Sequence, residues 1–135
     1  MNFFLDNTFS PRVASALAIL AKIDQHSVSH LLEYYTADPG DLAWIPEIGR
    51  WDGDWTILTG DRRMYTNPQR RAALLSSKRT VFFMPSRFPD MVGWEQAWRI
   101  FKWFPAIQLR AVRTRGQKLF DVSESGRIEV LKPSR

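Results

Sequence analysis

Cysteine is missing from this 135-residue chain, which excludes disulfides, thiolate metal sites and a cysteine nucleophile. Histidine is nearly missing too, with only His26 and His30. Four apart on an expected strand, they share a face but stand roughly 13 Å apart. That is too far to share a metal, and neither is given a catalytic role. No apolar run approaches the ~20 residues that cross a bilayer. The opening Met1-Asn2 has no basic n-region and the apolar stretch behind it is short, so no secretory leader is expected. The expectation is a soluble, cytoplasmic protein with no membrane partner. Neither a P-loop nor a Gly-x-Gly-x-x-Gly occurs, and there is no Gly-x-Ser-x-Gly to support covalent acyl chemistry.

Bases are scarce in the first half of the chain and acids in the second. Residues 1–60 hold three basic residues against eight acids, 3 − 8 = −5, while residues 61–135 hold sixteen against six, 16 − 6 = +10. A cluster of acids facing a basic surface suits a protein that handles a polyanion through a metal.

What is present reads as alternating strands and helices. Phe3-Phe4-Leu5 is a short buried strand that runs out into a carboxylate, Asp6. Ser10 and Pro11 then cap and open a helix over residues 11–22. A second strand is expected over 26–32 and a loop over 36–40. Asp41 follows as the cap of a helix that Pro46 should kink and Gly49 should end. Residues 55–59 form a third strand that also ends in an acid, Asp61. Asn67-Pro68 opens another helix, and residues 80–84 make a fourth, fully apolar strand. This order predicts an α/β fold, a three-layer sandwich on a mostly parallel four-stranded sheet with right-handed crossovers. Residues 1–88 make the core. Residues 89–135 form an extension, with an aromatic helix over about 90–104 ended by Pro105, and a terminal hairpin around Ser123-Glu124-Ser125-Gly126.

In open α/β sheets the ligand crevice lies beyond the carboxyl ends of the strands. Asp6 and Asp61 end strands there and Asp41 opens the helix between them. Converging carboxylates repel unless a cation neutralises them, and such hard oxygen donors suit Mg2+ or Mn2+. A divalent ion in that place activates water and stabilises charge on a phosphoryl oxygen.

The segments Phe3-Phe4-Leu5-Asp6-Asn7 with Ser10-Pro11, Asp41 with Trp44 and Pro46-Glu47-Ile48-Gly49, and Ile57-Leu58-Thr59-Gly60-Asp61-Arg62-Arg63 with Asn67-Pro68 occur in order. Over residues 1–88 the chain resembles the PIN-like nucleases, and within them a short VapC-type toxin branch. The resemblance implies a PIN-like α/β/α fold and a metal-dependent ribonuclease, encoded with a small antitoxin that blocks it. It implies that Asp6, Asp41 and Asp61 are the catalytic metal ligands for Mg2+ or Mn2+. For a fourth acid Glu47 and Asp38 both stand open.

Asn7 and Ser10 neighbour Asp6 as groups able to position water or a ligand. Arg62, Arg63, Arg70 and Arg71 read as a clamp for RNA phosphates, since a guanidinium meets phosphate bidentately. Trp94, Trp98 and Phe101 crowd the C-terminal helix and point to an association surface, for a protein partner or a homodimer. Two rival functions share parts of this pattern. A phosphoryl-accepting signalling domain would pair acids after the first strand and carry a late strand-end lysine, where this chain has Asn7 and Met84-Pro85. The other is a catalytically inactive nucleic-acid-binding or protein-interaction module on the same fold.

Overall fold

The computed structural model describes residues 1–132. Six strands, β1 (Asn2–Leu5), β2 (Ser27–His30), β3 (Trp55–Thr59), β4 (Thr80–Phe83), β5 (Leu119–Val122) and β6 (Ile128–Leu131), form one sheet in the order β2-β1-β3-β4-β5-β6. All neighbours are parallel except β5 and β6. The expected sheet of four strands is therefore corrected to six. The C-terminal hairpin forms as expected, but it joins the main sheet, with Val81 opposite Leu119 and Phe82 opposite Phe120. The rings of Phe82 and Phe120 stack at 4.7 Å. With β5 covering its edge, β4 is buried at every position, which explains its uniformly apolar sequence.

Side chains alternate between two cores, as the period of a strand requires. Phe3, Leu5, Leu58, Phe82 and Phe120 pack on one face against α1 (Pro11–Ala21) and α5 (Gly93–Arg113). Phe4, Ile57, Val81, Phe83 and Leu119 pack on the other against α2 (Asp41–Arg50), α3 (Arg63–Thr66) and α4 (Pro68–Ser77). The result is the three-layer sandwich expected from the sequence.

The prolines do less than their sequence positions predict. α2 runs through Pro46 as one helix and ends at Arg50, not Gly49. Pro46 lies on the exposed side, where its missing N–H leaves a carbonyl that water can reach. Gly49 serves packing instead: a Cβ there would stand 3.0 Å from the Ser77 Cα, so the glycine lets α2 and α4 approach. α5 likewise passes through Pro105, held by Trp103, Phe104 and Ile107 on its buried side. It starts at Gly93, after a single 3-10 turn over Phe88–Asp90. The second strand is shorter than expected, Ser27–His30, and gives way to another 3-10 turn.

Candidate functional site

The site begins with β1 and β3, which lie side by side with Leu5 opposite Leu58. Asp6 leaves β1 one residue later and is buried, 3% exposed. Its oxygens are filled by two threonines. The Thr8 hydroxyl donates to Oδ1 at 2.5 Å and the Thr8 N–H donates to the same oxygen at 3.1 Å. The Thr59 hydroxyl donates to Oδ2 at 2.5 Å. Each hydroxyl also accepts: Thr8 from the Gly60 N–H at 2.7 Å, and Thr59 from the Asp61 N–H at 3.0 Å. The two strand ends are thus knitted together, and one hydroxyl joins Asp6 to the backbone of Asp61. Neither threonine was singled out in the sequence, where a threonine near a strand end reads as an ordinary strand or turn former.

Asp41 stands in the first turn of α2 but is not its cap. Gly40, with φ +91°, occupies the N-cap position and Asp41 follows as the first helical residue. A positive φ strains residues other than glycine, so the helix start is set one residue earlier than expected. The Asp41 carboxylate is consequently not consumed by capping. Its Oδ1 accepts from the Trp44 indole N–H at 3.2 Å, and Oδ2 meets Nε of Arg70 at 3.1 Å. Asp61 is gripped by Arg63, whose Nε donates to Oδ1 at 2.9 Å and Nη2 to Oδ2 at 2.8 Å.

The ionisation of the three acids shows how they share charge. Burial pushes Asp6 up to about 7 against the opposing hydrogen bonds of Thr59 and Thr8, and the charge of Asp41 adds to the rise. Burial and then the charge of Asp61 raise Asp41, against the Trp44 hydrogen bond and Arg70. Burial also pushes Asp61 upward, but Arg63 and Arg70 outweigh it and hold the carboxyl below its usual value. Two of three carboxyls are thus short of positive charge. An oxygen-only donor set with that deficit fits Mg2+ or Mn2+ in its chemistry. In the geometry as it stands, no group of three or more His, Asp or Glu among the described residues is arranged to hold a metal. Two of the three acids are turned to arginines instead.

The remaining predicted residues divide. Asn7 is exposed in the turn after Asp6. Ser10 accepts from the Val13 N–H and caps α1, as its sequence position suggested. Glu47 does not join the acids: it lies six residues along α2 from Asp41, about 9 Å up the axis, paired with Arg50 at 2.6 Å. Asp38 accepts from the Gly40 N–H and shapes the turn before α2. Arg62 is tied to the rest of the sheet, donating to the Met84 carbonyl at 3.1 Å and pairing with Asp121 of β5. Arg71 donates to the Tyr65 carbonyl at 2.9 Å. His30 is buried, with Nε2 against the Phe9 carbonyl at 2.8 Å and Nδ1 accepting from the Leu32 N–H, a structural role.

A cleft beside Asp61 is lined by Thr8, Arg62, Arg63, Ser86 and Asp90. A second hollow, against Asp41, is lined by Gly40, Leu42 and Arg70. Asp90 therefore stands at the edge of the acid site, and nothing in the sequence marked it, since it lies 29 residues beyond Asp61 in a turn. The hollow lined by Met1, Asp54, Lys78, Arg79 and Gly116 lies at the amino ends of the strands, away from the acids. There Arg79 is committed to the carbonyls of Ile48, Trp51 and Gly53. The aromatic helix is split: Trp94 and Trp98 are 87% and 51% exposed, while Trp103 is 3% exposed and belongs to the core. Arg99 lies over the Trp98 ring at 4.4 Å.

Among curated proteins and among solved structures, nothing matches this chain. A family model described as "PIN like domain" matches residues 1–86, which takes in Asp6, Asp41, Asp61 and the strands and helices that carry them; the chain belongs to the PIN-like domain family.

Proposed function

We propose that this protein is a metal-dependent endoribonuclease, the VapC-type toxin of a toxin–antitoxin pair, hydrolysing RNA phosphodiester bonds at Asp6, Asp41 and Asp61. The observation that carries the reading is the hydroxyl of Thr59, which joins Asp6 to Asp61 at the carboxyl edge of the sheet while Asp41 lies within range of both charges. PIN-like domains are generally nucleases, and the fold supplies that starting point.

In this reading Asp6, Asp41 and Asp61 would hold Mg2+ or Mn2+, whose chemistry there would be to activate a water and to neutralise charge on the phosphate. The residues around them do the rest. Thr8 and Thr59 fix the Asp6 carboxylate so that it does not turn away. Arg63 and Arg70, on the solvent side of the acids, are the guanidiniums placed to meet an RNA phosphate. Arg62 and Arg71 hold the backbone that carries them. Trp94 and Trp98 form the surface we assign to a small antitoxin or to a second copy of the chain.

One observation favours the catalytically inactive binding module: Asp41 and Asp61 are already neutralised within the chain by Arg70 and Arg63. Thermal melting separates the two. The nuclease reading expects the melting temperature to rise with Mn2+, since a ligand bound to the native state alone stabilises it by mass action. That rise should vanish in Asp6→Asn, Asp41→Asn and Asp61→Asn. Melting indifferent to Mn2+ in the parent protein, both alone and with RNA bound, would leave the inactive module.

A further inference from the structure

Every oxygen of Asp41 and Asp61 already has a donor, and for both acids one donor is an arginine of the same chain. Arg63 forks onto both oxygens of Asp61, and Arg70 faces Oδ2 of Asp41 while Trp44 takes Oδ1. The two arginines differ from their neighbours in how they are held. Arg62 is anchored by the Met84 carbonyl and by Asp121, and Arg71 by the Tyr65 carbonyl and ring. The Arg63 side chain is 73% exposed, the carboxylate it grips only 13%. Among the described residues its guanidinium has no partner other than Asp61, and that of Arg70 none other than Asp41. These are cations that can leave the acids without breaking any other hydrogen bond or ion pair, Arg63 from an exposed position and Arg70 from a half-buried one.

We propose, resting on the nuclease reading above, that Arg63 and Arg70 are resident counter-ions that close the acid site, and that an RNA phosphate releases them. A guanidinium fork that fits a carboxylate fits a phosphate equally well. When the two arginines move onto RNA, the four oxygens they and Trp44 occupy lose two cationic partners and open to a divalent ion. RNA and metal therefore bind with positive coupling, each tightening the other by the same factor. Without RNA the site stays closed by its own charges, so free divalent ions load it weakly. The device confines metal loading to chains that already carry substrate.

The test is calorimetric titration of Mn2+ into the full chain, alone and saturated with a single-stranded 2′-O-methyl oligoribonucleotide whose intactness after the titration is checked on a denaturing gel. The wild-type protein should bind Mn2+ at least fivefold more tightly with the oligonucleotide. Arg63→Gln with Arg70→Gln should bind Mn2+ more tightly without it, by about fivefold for each ion pair removed, and gain nothing further when it is added. Arg12→Gln, an exposed arginine in the first turn of α1 at the same sheet edge, removes equal charge without touching the acids and should change Mn2+ affinity less than twofold. Arg63→Gln alone repeats the test if the double variant is poorly folded. Equal or weaker Mn2+ binding in the arginine variants, or an equal gain in Arg12→Gln, would overturn the counter-ion role while leaving the nuclease reading intact. A wild-type protein and variants that bind no Mn2+ under any of these conditions would overturn both.

Discussion

Asp6→Asn should make the metal-free protein more stable at alkaline pH and less stable by about 1 kcal/mol in acid. Folding moves this carboxyl from its ordinary 3.8 to about 7, chiefly because burial penalises the charged form. Below pH 4 the folded and unfolded chains are both protonated at this position and the site costs nothing. Between pH 4 and 7 the unfolded chain gives up its proton while the folded chain keeps it, so stability falls as pH rises. Above 7 the folded carboxyl ionises too and the penalty stays constant. At about 1.4 kcal/mol per pH unit the full cost is about 4 kcal/mol. Asparagine imitates the neutral acid: its oxygen still accepts from Thr8, and its amide meets the Thr59 hydroxyl. That hydroxyl then loses the acceptor for its own proton, which costs about 1 kcal/mol. A net gain of roughly 3 kcal/mol at pH 8 corresponds to a melting temperature higher by about 10 °C for a chain of this size. Circular dichroism melts at pH 4 and pH 8, with chelator present, measure it. An equal shift at both pH values, or destabilisation at pH 8, would refute the reasoning.

Other consequences are as specific. Thr59→Val removes the hydroxyl that serves Asp6 and Asp61 together and should cost about 2–3 kcal/mol, read by urea denaturation at neutral pH; a loss below 0.5 kcal/mol, on the order of an ordinary surface change, would show the bridge to be weak. Arg63→Ala and Arg70→Ala should each flatten the salt dependence of RNA binding by about 0.7 in log–log slope. Arg62→Ala, whose partner is Asp121, should instead lower stability and leave the slope as it was. Trp98→Ala should reduce self-association in sedimentation at high concentration with little change in melting temperature, because the ring is half exposed; unchanged association would move the interface elsewhere.

The parts of the fold that were legible are those set by near neighbours. Ser10 with Pro11, and Asn67 with Pro68, announced helices that start as expected, with Asn67 accepting from the Arg70 N–H. Phe3-Phe4-Leu5 and Ile57-Leu58 were strands because no other element of that length buries such runs. Long-range partners were not legible. Nothing in Leu119–Val122 says that its mate is β4, 38 residues earlier, instead of the adjacent β6 alone. Pro105 by its local chemistry should end a helix, yet burial of Trp103, Phe104 and Ile107 on one side outweighs the lost hydrogen bond. Arg62 and Arg63 are adjacent and identical in type, but one turns inward to Asp121 and the other to Asp61. Such choices depend on which acid the fold brings near, which local sequence does not encode.

The central claim is that Asp6, Asp41 and Asp61 act together on RNA through a divalent ion. The most direct measurement is cleavage of an end-labelled single-stranded RNA by the purified chain, with Mn2+ or with EDTA, compared with Asp61→Asn at equal concentration. Cleavage should require Mn2+, stop with EDTA and be lost in Asp61→Asn while RNA binding persists. Cleavage that continues in EDTA, or at full rate in Asp61→Asn, would contradict it.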